Sequence, residues 1–233
     1  GDYSIAIAAF GDGDLAVTSE SVSTAGSYAA GIFAFGNGSI AITSGTNASA
    51  GHHGYGIFGL GSGPDTIPSD DVSTAGEYAY GILGIGDGVT ISSGTVATQG
   101  DFGYAIAAVS SSGPISITSG TVTTAGSDSD GIFANGDGSV TITSTAVTTA
   151  GDRSHGLNAL GTGPVSVSSG TLSTAGVSAF GLYAASREGS VVVNSDTVTT
   201  RGNSGAGIFA LGEGSKYGGG SVSVTSNSVT TAG

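Results

Sequence analysis

No cysteine, methionine or tryptophan occurs in this chain of 233 residues, and only 4 prolines do. Without cysteine there can be no disulfide and no thiolate metal site. Such a chain suits an exported protein stabilised by length rather than by crosslinks, although cytosolic proteins can lack cysteine too. Charge is also scarce. Charged residues make up 9% of the chain, with four bases (Arg153, Arg187, Arg201, Lys216) against 17 acids and a net charge of −13. Proteins that bind nucleic acid use Lys and Arg to displace counterions from phosphates, so no nucleic-acid partner is expected. An anionic membrane surface is disfavoured for the same reason. No stretch of about 18 consecutive apolar residues is present, so no membrane span is predicted in this chain. Neither a targeting segment nor an initiator methionine opens it, which is expected of a mature chain or an excised piece.

What is abundant is glycine, 45 residues, together with Ser and Thr, and 38% of the chain is apolar. That is too apolar for a typical disordered segment. The glycines have a period. "TAG" or a close relative recurs with its glycine at Gly26, Gly51, Gly76, Gly100, Gly126, Gly151, Gly176, Gly202 and Gly233, and Gly1 fits the same phase. Taking 1–233 as a single domain, units start near 1, 26, 51, 76, 100, 126, 151, 176 and 202. Counting each of these glycines as zero, offset 6 is always Ile or Leu, from Ile7 to Ile208, and offset 8 is always Ala or Gly. A second apolar pair follows, as in Ile40/Ile42 and Val140/Ile142. A third site reads Val22, Val72, Val96, Val122, Val147, Leu172, Val198 and Val229. Within each patch apolar residues alternate with Ser, Thr or Ala, the two-residue period of a strand. No helical period is sustained.

These features predict an all-β, right-handed parallel β-helix (a β-solenoid) of about nine coils of ~25 residues, with three short strands per coil. At a strand spacing of roughly 4.8 Å the rod would be about 40–45 Å long. Length changes gather between offsets 9 and 14, where the insertion around Lys216 and Tyr217 is expected to protrude as a loop. Unit three is irregular, because Asp65 and Pro68 are expected to interrupt its second strand. Asn47 replaces the third-site valine of unit two, either bonding to a neighbouring coil or marking a weak point.

"TVTTAGSDSDGIFANGDGSVTITS" and "TLSTAGVSAFGLYAAS" resemble the repeats of bacterial autotransporter passenger domains, adhesin-like and rich in Gly, Ser and Thr. The resemblance covers all nine units. It implies a right-handed β-helix exported to the bacterial cell surface, often serving adhesion, autoaggregation or biofilm formation. It implies no catalytic residues, because those repeats are structural.

Candidate chemistry is sparse. Asp152, Ser154 and His155 carry the three side-chain types of a hydrolase triad within four positions. Groups so close in sequence rarely converge as nucleophile, base and orienter, and His155 falls on an offset that is Tyr55, Tyr80, Tyr104 and Phe180 in other units. It reads as a rung of a surface ladder, so no catalytic residues and no enzyme activity are expected. His52, His53 and Tyr55 also read as surface rungs. The turns carry Asp12, Asp14, Asn37, Asp87, Asp137 and Glu213. No cofactor and no resident metal are expected there, with occasional Ca2+ at such turns left open.

The aromatics are more informative. Offset 7 holds Phe33, Phe58, Leu83, Phe133, Tyr183 and Phe209, and strand alternation points it outward. These residues form a candidate lateral interface, either stacked on one another along the rod or covered by another chain. Tyr3, Tyr28, Tyr78 and Phe102, with His53 among them, form a candidate glycan-stacking ladder at offset 2. The favoured expectation is a non-catalytic extracellular stalk, adhesin or fibre subunit that associates with itself laterally, head to tail, or both, with cell-surface or matrix glycans as further partners. A carbohydrate-binding or carbohydrate-active β-helix of the tailspike or lyase type is the alternative. Ice binding through Thr121/Thr123 and Thr197/Thr199 is a third, broken by Ser21, Asp71, Ala97 and Ala146.

Overall fold

A computed structural model describes residues 2–214 and 220–233. The expected loop at Lys216 and Tyr217 therefore lies outside the described residues, as does Gly1. The described chain is an all-β parallel solenoid with no helix. Its eighteen strands form two parallel sheets of nine. The first contains β1 (Ile5–Gly11), β3 (Ala30–Gly36), β5 (Tyr55–Leu60), β7 (Tyr80–Gly86), β9 (Ile106–Ser110), β11 (Ile132–Gly136), β13 (Leu157–Gly161), β15 (Leu182–Ser186) and β17 (Ile208–Gly212). The second contains β2 (Leu15–Thr24), β4 (Ile40–Ser49), β6 (Asp65–Thr74), β8 (Val89–Thr98), β10 (Ile115–Thr124), β12 (Val140–Thr149), β14 (Val165–Thr174), β16 (Val191–Thr200) and β18 (Val222–Thr231). Each strand pairs with its equivalent in the next coil, as Ile115↔Val140 and Val122↔Val147 illustrate.

A coil thus has two strands rather than the expected three. The second and third apolar patches share one ten-residue strand. In β10 the inward residues are Ile115, Ile117, Ser119, Val122 and Thr124, so the alternation slips between Ser119 and Val122. Gly120 is skipped in the ladder there, and the strand turns a corner without ending. In the sequence that slip reads as a break between two strands.

The core is one continuous stack. Ile32, Ile57, Ile82, Ile106, Ile132, Leu157 and Leu182 lie on top of one another, facing Ile42, Ile117, Val167 and their equivalents. Coil stacking also explains the recurrent "TAG". A Cβ placed on Gly51, Gly76, Gly126, Gly151, Gly176 or Gly202 would come within 1.6–2.1 Å of the carbonyl oxygen of the glycine one coil earlier. Only glycine allows that approach. In the central coils the threonine two residues before this glycine closes the turn: the hydroxyls of Thr74, Thr98, Thr124 and Thr149 donate to the carbonyl five residues on, as in Thr124 to Ser129 at 2.8 Å and Thr149 to Ser154 at 2.9 Å.

Unit three also differs from expectation, since Asp65 and Pro68 do not interrupt their strand. β6 runs its full ten residues and pairs along its length with β8. Pro68 affects only the other side, where the pairs at Ile67 and Pro68 are missing against β4. Asp65 takes the inward place of Ile40 and Val89, its neighbours above and below. Neither carboxylate oxygen has a hydrogen-bond partner. Burial lifts its carboxyl to about 6, and the backbone near Ile40 and Gly61 offsets only part of that. Asn47 is fully buried between Val22 and Val72, and its amide finds no partner.

Two stability predictions arise here. Ile132→Asp should lower stability by several kcal/mol in chemical denaturation, because it buries an unpaired charge, while Asp137→Asn in an exposed turn should be nearly neutral. Comparable losses in the two variants would overturn the inward placement of Ile132. Asp65 has a pH signature. Its raised pKa means that the folded state holds the proton more tightly than the unfolded state does. The stabilisation from protonation is complete below about pH 4 and is lost as pH rises through about 6. Asp65→Val should therefore stabilise the rod at pH 7 by on the order of 2–3 kcal/mol, with a smaller gain at pH 4. A gain that does not depend on pH would refute the buried-carboxylate account.

Candidate functional site

Every coil places one non-glycine residue in the left-handed region at offset 2: Tyr3, Tyr28, His53, Tyr78, Phe102, Asp128, Arg153, Ser178 and Ser204, with φ between 53° and 61°. Each such residue opposes the intrinsic preference of L-amino acids by roughly 1–2 kcal/mol. The stacked turns hold it there. The Tyr28 amide donates to the His52 carbonyl in the next coil, Tyr78 to Asp101 and Phe102 to Ser127. The rings then stack over one another. Successive centroids from Tyr3 through Tyr28, His53 and Tyr78 to Phe102 lie 4.8–4.9 Å apart with interplanar angles of 5–19°. The four residues of the candidate glycan ladder lie together on this rail and are 42–74% exposed. In the sixth coil the rail changes chemistry. Arg153 donates from Nε to Asp128 at 2.7 Å and holds that carboxyl below its ordinary range.

A second aromatic structure covers the outer face of the first sheet. Phe58, Leu83 and Ala107 are buried beneath Phe33, Tyr55, Leu60, Tyr80, Ile85, Tyr104 and Phe133, forming an apolar cluster outside the rod's own core. Phe33 stacks on Phe58 at 4.8 Å, and Tyr104 on Phe133 at 5.3 Å. Burial raises the phenols of Tyr55 and Tyr80, and pushes Tyr104 up to about 12 with Asp130 adding to the effect. Of the candidate lateral residues, Phe33, Phe58, Leu83 and Phe133 thus belong to one seam that covers much of itself. Tyr183 and Phe209 form a second segment with Phe180, at 5.1 Å and 6.1 Å.

Asn158 separates the two segments. It pairs with Phe133 on one side and Tyr183 on the other. Its amide nitrogen donates to the buried Asp130 carboxylate at 2.9 Å, and the His155 amide donates to the same group at 2.7 Å. Burial nonetheless raises the Asp130 carboxyl above its usual range. His155 stacks on Phe180 at 4.9 Å, and its Nδ1 accepts the Phe180 amide proton at 3.0 Å.

Asp152, Ser154 and His155 do not converge. Ser154 is fully buried and its hydroxyl donates to the Gly126 carbonyl at 2.9 Å. Asp152 accepts from the Val177 amide at 2.8 Å. Each of the three side chains serves a different coil-to-coil contact. His52 and His53 also separate: His53 stacks between Tyr28 and Tyr78, while His52 lies 3.8 Å from Glu77. The turn acids point along the rod. Asp14 accepts the amide and hydroxyl of Ser39 at 2.8 and 2.7 Å, which lowers its pKa, and Asp87 accepts from Ser112 and Gly113. Among the described residues no three His, Cys, Asp or Glu side chains gather as a metal site. Thr121 and Thr197 lie outward on the second sheet, with Ala146 beside Thr121.

One inward feature escapes a reading by apolar pattern. Ser19, Ser44, Ser69, Ser93, Ser119, Ser144, Ser169, Ser195 and Ser226 occupy the same place on all nine strands of the second sheet, just before the corner. The signal was available as a column of identical residues. No protein-family model, curated protein or solved structure matches this chain.

The seam makes a direct prediction. Phe58 is 8% exposed and Phe10, at its N-terminal end, is 65% exposed. Phe58→Ser should cost about 2–3 kcal/mol, and Phe10→Ser less than about 0.5. Denaturation midpoints that move equally would show that the seam is not an outer core.

Proposed function

We propose that this chain is a non-catalytic extracellular β-solenoid, a stalk, adhesin or fibre subunit at a bacterial surface, similar to the repeats of autotransporter passenger domains. In this reading it is a right-handed helix of nine coils that associates with itself. The preference of parallel crossovers for the right hand supports the handedness.

One observation carries the reading. An apolar seam runs along the outer face of the first sheet, with Phe33, Tyr55, Tyr80, Tyr104 and Phe133 packed over Phe58, Leu83 and Ala107. Beside it Phe10 and Phe35 stay 65% and 46% exposed. A continuous apolar stripe on the outside of a rod suits a lateral contact with another chain.

A second reading, carbohydrate binding, is favoured by the rail of Tyr3, Tyr28, Tyr78 and Phe102, whose exposed rings suit stacking on sugars. A glycan array comparing the native chain with Tyr28→Ala/Tyr78→Ala tests it, and indifference to that change would remove the rail from consideration.

For the favoured reading, the test is sedimentation and electron microscopy across a concentration series. The native chain should associate side by side as concentration rises. Phe10→Ser with Phe35→Ser, at exposed positions beside the seam, should keep the strand spectrum and thermal midpoint yet remain as single rods. A native chain that stays monodisperse throughout the series would defeat the proposal.

A further inference from the structure

A cleft of about 270 Å3 opens on the outer face of the first sheet, in the C-terminal half of the rod. One small side chain deepens its floor. Leu160, Ala185 and Leu211 stand in register on β13, β15 and β17. Where the flanking coils carry leucine, Ala185 has only a methyl group, so the ladder is hollowed there. Tyr183, two residues earlier and on the same outward side, forms one wall. Its ring is fixed by near-parallel stacking on Phe209, 5.1 Å away at 5°.

The opposite wall is a row of turn residues, Asp137, Thr162, Arg187 and Glu213. Hydrogen bonds between coils fix their backbones: the Thr162 amide donates to Gly136, Arg187 to Gly161 and Glu213 to Ser186, at 2.9–3.0 Å. The Thr162 hydroxyl donates to Asp137 at 3.1 Å. Along this edge lie an acceptor, a hydroxyl, a guanidinium donor and a second acceptor, roughly one coil spacing of 4.8 Å apart.

We propose that this cleft binds one neutral pyranose ring of a glycan. Such a ring has an apolar C–H face, which fits the Tyr183 wall and the Leu160–Ala185–Leu211 floor. Its rim of hydroxyls both donates and accepts, which fits a rail of mixed donors and acceptors. The volume lies just under the ~300 Å3 at which drug-sized pockets begin, so the cleft suits a single ring. The rail carries two carboxylates against one guanidinium on a chain of net charge −13, which disfavours uronates and sulfated sugars. The proposal does not rest on self-association, and the cleft is distinct from the Tyr3–Phe102 rail.

The test is ligand-observed saturation transfer on the whole chain. The probes are neutral hexasaccharides of glucose, galactose, mannose and N-acetylglucosamine, with trigalacturonate as the anionic control. At least one neutral probe should receive saturation. Its affinity should fall about tenfold in Tyr183→Ala and as far in Ala185→Leu, and should hold in Tyr28→Ala/Tyr78→Ala. Ala185→Leu fills the hollow with the residue its neighbours already carry, so the fold is retained while the site closes, and an unchanged thermal midpoint verifies this. Saturation of no neutral probe, binding of the galacturonate alone, or undiminished binding by Ala185→Leu would each overturn the assignment.

Discussion

Everything in this molecule depends on each coil's backbone hydrogen-bonding to the next at one strand spacing. Equivalent residues are then held about 4.8 Å apart whatever their chemistry, so a side chain is tolerated chiefly for how it meets its counterpart. Ile and Val stack on their own kind in the core, and Tyr, His and Phe stack face to face on the rail. Charges stack poorly, and acids accordingly tend to meet donors along the rod: Asp14 meets Ser39, Asp87 meets Ser112 and Asp128 meets Arg153. Glu77 beside Asp101 is an exception, with His52 on the other side of Glu77. The same constraint makes glycine mandatory wherever two coils approach more closely than a Cβ permits.

Nearest-neighbour stacking also explains how the rod carries flawed coils. Asn47 and Asp65 bury polar groups without partners in consecutive coils, a defect that would damage a small globular core severely. In a solenoid the stability is close to a sum over coils and their interfaces. Asp65 is flanked by Ile40 and Val89, and Asn47 by Val22 and Val72, so well-packed neighbours hold each defect in place.

Much of this was legible in the sequence, for a physical reason. A repeat that stacks on itself turns long-range packing into a short-range pattern, so the columns beginning at Ile7 and Val22 are effectively a contact map. The inward and outward assignments followed from alternation alone. The strand count did not, because the corner after Ser119 changes the phase without ending the strand, and alternation cannot distinguish a bend from a break. The left-handed turns were also hidden. Tyr, Phe and His at offset 2 are poor candidates for positive φ by intrinsic preference, and only hydrogen bonding and ring stacking between coils make them acceptable. The inward serines are hidden in the sequence because serine in a Gly-rich chain reads as a turn or surface residue.

The outer surface follows a different logic from the core. A core column that changes identity leaves a hole or a strained contact, so the offset-6 column is Ile or Leu throughout. An outward column is free to change unless it buries itself, as the seam through Phe33, Phe58 and Leu83 does. The polar departures from ladder regularity fall in the C-terminal half, with Asn158 between Phe133 and Tyr183 and, on the neighbouring rail, Asp128 and Arg153 in place of rings, and there too Ala185 stands between two leucines. Continuous apolar ladders can meet any equally regular surface, so they suit association without fine discrimination. Interrupted ladders place unlike groups at fixed spacing, as recognition of one particular ligand requires. One backbone repeat can therefore carry both kinds of surface, and the division between them lies near the sixth coil, where the stacked rings of the rail give way to the Asp128–Arg153 pair.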